Sequence, residues 1–129
     1  MDKRSHQERY AAGLKTRREV LGAEYVDKSM ASVDEFNRPF VELLNTYCWN
    51  EIWNRPGLER RSRSMLNLAM LSALGRTHEL KLHINGALNN GLTKEEIGEV
   101  FLQVAIYCGV PAAVESFRSA REVFKERGL

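Results

Sequence analysis

Apolar residues recur at helical spacing along almost the whole chain, and no stretch alternates apolar and polar positions long enough to predict a sheet. A polar first helix is predicted over residues 4–21, with a thin stripe of Tyr10, Leu14 and Leu21 and a stop at Gly22. A short helix follows from Tyr25 to Met30. Ser32 and Glu35 have capping-box spacing ahead of a stripe formed by Phe36, Phe40, Leu43, Leu44 and Tyr47. Residues 49–58, with Trp49, Trp53 and the Pro56-Gly57 turn signal, read as the main irregular segment.

Beyond it the pattern becomes strongly apolar. Between Met65 and Leu74 only Asn67 and Ser72 carry hydrogen-bonding side chains, so a helix over about 59–74 is expected to be central and buried on most sides. Gly75 suits its end, Thr77 an N-cap for the next helix to about Asn90, and Thr93 with Glu96 a capping box for a third. That third helix carries Ile97, Val100, Phe101, Val104, Ala105 and Cys108 on one face. Gly109 breaks it, and Pro111 fits the first turn of a last helix bearing Ala113, Phe117, Ala120 and Phe124. The expectation is an all-α, single-domain bundle of about six helices. An N-terminal helical segment over 1–34 leads into the main helical domain over 35–129, together one compact unit. Two helices this apolar exceed what one small core covers, which implies burial against a second copy and hence a homo-oligomer.

The composition excludes several classes of protein. With 129 residues, 43% of them hydrophobic and 28% charged, the chain suits one globular domain and is too apolar for disorder. Nineteen Lys and Arg against 17 Asp and Glu leave a net charge of +2, too little for a dedicated nucleic-acid binder. The apolar run from Val104 to Val114 is short of a membrane span, and the first twenty residues are studded with charge. A cytoplasmic protein is expected. The two cysteines, Cys48 and Cys108, are sixty positions apart among apolar and aromatic neighbours, so they read as reduced, buried packing residues. Three histidines without ligand spacing give no reason to expect a metal.

Chemistry gathers at three places. On a helical wheel Leu80, Ile84, Ala87 and Leu88 define a buried face, and Glu79 and His83 share its border one turn apart. His83 is then either a boundary histidine satisfied by Glu79 or a reacting group whose pKa Glu79 raises and whose tautomer it fixes. Arg55, Arg60, Arg61 and Arg63 form a basic cluster opposed only by Glu59, either a solvated helix start or a grip for several carboxylates. Glu51 lies between Trp49 and Trp53, either an exposed loop carboxylate or one desolvated enough to transfer protons near neutrality.

The strings Arg61-Ser-Arg-Ser-Met-Leu-Asn-Leu-Ala-Met-Leu-Ser-Ala-Leu-Gly-Arg76, Glu79-Leu-Lys-Leu-His83, Gly86-Ala-Leu-Asn-Asn-Gly91 and Gln103-Val-Ala-Ile-Tyr-Cys-Gly-Val-Pro-Ala-Ala113 resemble the carboxymuconolactone decarboxylase family. The resemblance spans about residues 35–125, and Phe36-Asn-Arg-Pro-Phe40 through Trp53-Asn-Arg-Pro-Gly57 fits its decarboxylase subgroup. It implies the alkylhydroperoxidase-D-like fold, in which the related peroxidases use a C-x-x-C pair. Arg76 and Glu79 stand at those cysteine positions here and Ser64 at that of an upstream glutamate, with only His83 retained, so disulfide-cycling peroxidase chemistry is not expected.

The activity the resemblance implies is cofactor-free loss of CO2 from a carboxylated butenolide, in the protocatechuate branch of the β-ketoadipate pathway. It also implies a trimer or hexamer of identical chains. Under it His83 and Glu51 are the acid–base candidates, Arg63, Arg76 and Trp53 the substrate-binding ones, and Glu79 the residue that orients His83. The alternative is a helical binding protein of the same fold that holds acidic aromatic catabolites without turning them over.

Overall fold

In the computed structural model, which describes residues 3–129, seven α-helices and one π-helical segment form the regular structure. No strand occurs among the described residues, in keeping with the all-α expectation. The chain divides into two compact units, Met1–Leu58 and Glu59–Leu129.

The first unit holds α1 (His6–Leu21), α2 (Ala23–Ala31), α3 (Arg38–Leu43) and the π-helical segment Leu44–Ile52. A capping box sets the start of α1: the Ser5 hydroxyl accepts from the Glu8 N–H while the Glu8 carboxylate accepts from the Ser5 N–H. Gly22, at φ +97°, ends it. The predicted Ser32–Glu35 box does not form. Ser32 closes α2, donating to the Ser29 carbonyl, and Asp34 accepts from the N–H groups of Phe36 and Asn37 instead. The Ser32 hydroxyl is thus used as a donor at the end of α2, and Asp34 starts the next turn on its own.

The helix that follows is also turned from its predicted face. Its buried positions step by four, through Val41, Asn45, Trp49 and Trp53. Wider turns with bonds such as Trp53 N–H to the Cys48 carbonyl keep those residues aligned, where an α-helix would drift away. Of the predicted stripe Phe36, Phe40, Leu43 and Tyr47 are exposed, while Leu44 is half-buried against the Trp49–Trp53 core. Trp49 and Ile52, expected in irregular structure, are helical.

Against this segment α1 buries Gly13, Thr16, Arg17 and Val20, and of its predicted stripe Leu21 packs against the same core. At Gly13 the backbones approach so closely that a Cβ would sit 1.7 Å from the Asn45 carbonyl oxygen. Polar side chains knit the seam: Thr16 to Asn54 at 2.8 Å, Arg17 to Asn45 at 3.4 Å and Arg4 to Asn50 at 2.9 Å. These bonds offset the burial of Thr16 and Asn45 and of the Arg17 Nη1 atom.

The second unit holds α4 (Arg60–Leu74), α5 (Thr77–Asn89), α6 (Lys94–Tyr107) and α7 (Val110–Glu126). Its core is Leu68, Leu80, Ile84, Ala87, Leu92, Ile97, Phe101, Ala120 and Val123. Gly75, left-handed at φ +70°, ends α4, and Arg76 rather than Thr77 occupies the N-cap position of α5. The Thr93–Glu96 capping box forms as predicted, and Arg61 binds the same Glu96 at 2.5 Å and the Gly91 carbonyl at 3.2 Å. Arg61 thus fastens the start of α6 to α4.

Helix α4 is not buried on most sides. Ser64, Leu68 and Ser72 face inward, while Leu66, Met70 and Leu74 are exposed. A helix in a four-helix unit buries one stripe, and this one carries apolar residues on a second. The same holds at the end of α6, where Ile106 and Tyr107 are 80% and 82% exposed. Cys108 is exposed as well, against expectation, because it caps α6 outside the core; Cys48 is half-buried, and both thiols are free.

Candidate active site on the second unit

The polar residues of the second unit that the core does not absorb collect along the seam of α4 and α5. These helices run antiparallel, joined by the Gly75 turn, and α5 buries Leu80, Ile84 and Ala87 as its wheel predicts. His83 borders that face. Its Nδ1 lies 3.4 Å from Nδ2 of Asn67 on α4. Nearby, the Asn90 amide donates to the buried Ser64 hydroxyl at 2.9 Å. Arg63, half-buried, lies one turn before Asn67 on α4, the spacing at which side chains share a face.

Burial of the ring pushes the pKa of His83 down to about 4, against a weaker upward pull from Glu79. The expectation that Glu79 raises it is therefore reversed: desolvation penalises the imidazolium more than one carboxylate favours it. Glu79 is exposed, one turn before His83, and acts on the ring through its charge. The group facing Nδ1 is Asn67, which sequence reasoning noticed only as an interruption of an apolar run.

The other candidates lie further off or on the other unit. Arg76 is exposed at the N-cap of α5, about 10 Å from His83 by helical rise. It lines a cleft of about 210 Å³ with Leu71, Ser72, Thr77, Glu115 and Ser116. Ser72 and Ser116 are bonded to each other at 2.7 Å, which ties α4 to α7. Glu51 and Trp53 belong to the first unit. Trp53 is closed into its core, stacked on Trp49 with ring centroids 4.9 Å apart and planes at 18°. The two rings lie on one side of the helix, and the intervening Glu51, half-buried, falls on the other, so it is not sandwiched between them. Among the described residues no three His, Cys, Asp or Glu side chains gather as a metal site requires, and no helix is long and apolar enough to cross a membrane.

What this seam offers is a desolvated neutral imidazole with a fixed partner and an arginine one turn away. Known proteins give it a context. Residues 38–122 match the model of the carboxymuconolactone decarboxylase family. The chain is 42% identical to a 4-carboxymuconolactone decarboxylase of Acinetobacter baylyi, over 95% of this chain and 92% of that one. It is 41% identical to a nitrosuccinic acid decarboxylase of Metarhizium robertsii, over 86% of this chain and 78% of that one. Matches that run through most of both chains and include α4 and α5 leave one conclusion: the chain belongs to the carboxymuconolactone decarboxylase family.

Proposed function

We propose that this protein decarboxylates 4-carboxymuconolactone to the β-ketoadipate enol-lactone, as a cytoplasmic carboxy-lyase of protocatechuate catabolism that needs no cofactor. The observation that carries the reading is the identity of 42% to a decarboxylase of that substrate along nearly the whole of both chains.

The substrate has its own electron sink. The bond between its carboxylate and the ring carbon bearing the lactone oxygen breaks, CO2 leaves, and the electron pair passes through the ring alkene to the lactone carbonyl. Protonation of the carbon next to that carbonyl then gives the product. Nitrosuccinic acid, named for the second relative, has the same property: the nitro group receives the pair when the adjacent carboxylate is lost. A protein serving such substrates must hold carboxylates, stabilise a developing oxyanion and supply one proton.

His83 suits the oxyanion. A neutral imidazole in a largely desolvated place donates one N–H to the developing oxyanion, and burial keeps it neutral at pH 7. Arg63 binds a carboxylate beside it, and Arg76 a second one. Glu51 is the second acid–base group, on grounds of residue type, with Trp53 supporting its segment from within the core. Whether His83 or Glu51 delivers the carbon-bound proton is decided by turnover of Glu51→Gln.

The protein works as a homo-oligomer, a trimer or hexamer. The exposed Leu66, Met70, Leu74, Ile106 and Tyr107 on α4 and α6 support this, as does an apolar groove of about 370 Å³ between these helices. Light scattering should give a multiple of the 14.8 kDa chain mass; a monomer at micromolar concentration would remove the proposal.

The function is tested by mixing purified protein, in EDTA, with 4-carboxymuconolactone generated in situ and following the enol-lactone and CO2 by NMR. Acceleration over the blank supports it. A blank rate together with saturable binding would leave a binding protein of the same fold.

A further inference from the structure

We propose that Asn67 is the positioning residue of His83: its side-chain amide donates to Nδ1, holds the ring as the Nε2–H tautomer and so makes Nε2 a hydrogen-bond donor. This rests on the reading of His83 as the group that meets the oxyanion.

Asn67 Nδ2 lies 3.4 Å from His83 Nδ1, a long hydrogen bond. An amide nitrogen can only donate, so Nδ1 must accept, and an accepting Nδ1 carries no proton. In a neutral ring the proton is then on Nε2. A carboxylate in Asn67's place would draw the proton to Nδ1 and leave Nε2 bare, unable to donate to an oxyanion.

Between Met65 and Leu74 Asn67 is one of two residues with a hydrogen-bonding side chain, and the other, Ser72, is already explained by its bond to Ser116 across the α4–α7 contact. Asn67 is half-buried at the border of the inward face that Ser64, Leu68 and Ser72 form, on the side it shares with His83 of α5. Its polarity serves the α5 ring it faces. The neighbouring Asn90–Ser64 bond pins the same two helices together, so the spacing between Asn67 and His83 does not depend on their own contact.

The test uses the whole chain with 15N-labelled histidine. At pH 7 the ring nitrogens of His83, assigned by loss of their signals in His83→Gln, should show a protonated Nε2 and a bare Nδ1. In Asn67→Asp the proton should move to Nδ1 or occupy both nitrogens. For 4-carboxymuconolactone kcat should fall at least about tenfold with KM changed less than about threefold, the pattern of an interaction made only in the transition state. Asn67→Gln, which keeps an amide donor, should recover part of both. Should Asn67→Asp not fold, Asn67→Leu supplies the comparison: it should lose the fixed tautomer and the rate together. A wild-type ring protonated on Nδ1, an unchanged protonation pattern in the variants, or an unchanged kcat beside a moved proton would each overturn the proposal. If the wild-type tautomer is as stated but the lactone is not turned over, the positioning stands and the proposed substrate falls.

Discussion

His83→Ala is expected to lower kcat/KM for 4-carboxymuconolactone by at least about a hundredfold, ~3 kcal/mol of transition-state stabilisation. As CO2 leaves, negative charge grows on the lactone carbonyl oxygen. A donor aimed at that oxygen in a desolvated place is worth far more than it would be in water, and removing one such donor characteristically costs two to three orders of magnitude, about 2.7–4 kcal/mol. Truncation should not unfold the protein, because the apolar face of α5 is carried by Leu80, Ile84 and Ala87 and His83 only borders it. Unchanged helical circular dichroism would confirm that the loss is chemical. Equal rates in the two proteins would keep the reaction and move the oxyanion role to another donor.

Lowering the pH from 7 to 5 should cost the wild type about 2 kcal/mol more stability than it costs His83→Gln. In the folded protein burial holds the pKa of His83 at about 4, while the unfolded chain titrates near 6.5. Below pH 6.5 the unfolded state therefore binds a proton that the folded state refuses, and stability falls with pH. The loss begins near pH 6.5, reaches about 2 kcal/mol at pH 5 and levels off at about 3 kcal/mol below pH 4. Urea unfolding of both proteins at the two pH values reads the difference, because other titrating groups contribute alike to each. Parallel losses would show that the ring accepts a charge in place. The same depression has a kinetic side: a neutral donor keeps its activity above pH 6.5, where an imidazolium acid would be lost.

The sequence carried α5 and most of α6 well, overstated the burial of α4 and misread the first unit. In α5 and α6 the burial follows 3.6 residues per turn, so a wheel places Leu80, Ile84, Ile97, Phe101 and Val104 correctly. In the first unit a 3.6-residue stripe selects Phe36, Phe40 and Leu43, which precede the π-helical turns of Leu44–Ile52, and Tyr47 within them, and all four are exposed. The core of that unit uses Asn45, Thr46 and Asn50 beside two tryptophans, and polar core residues leave no apolar pattern to find.

At the candidate site His83 was legible from its place beside the buried face of α5. Its partner was not, because Asn67 lies sixteen positions earlier and only the fold brings it near. A signal did exist. Of the two hydrogen-bonding residues within the apolar run of α4, Asn67 meets His83 and Ser72 meets Ser116. An isolated polar residue in such a run is worth reading as half of an interhelical hydrogen bond. The sign of the His83 shift was misjudged for a related reason, since a sequence shows a neighbouring charge but not how much water the fold removes.

One measurement bears most directly on the central claim, that the chain releases CO2 by passing the electron pair to the lactone carbonyl. Wild-type protein in D2O with EDTA would be given 4-carboxymuconolactone, and both CO2 and the ring positions of the product followed by NMR. The expected result is release well above the blank, with a single deuterium of one handedness at the carbon next to the lactone carbonyl. Release at the blank rate, or deuterium on the carbon that lost CO2, would contradict it.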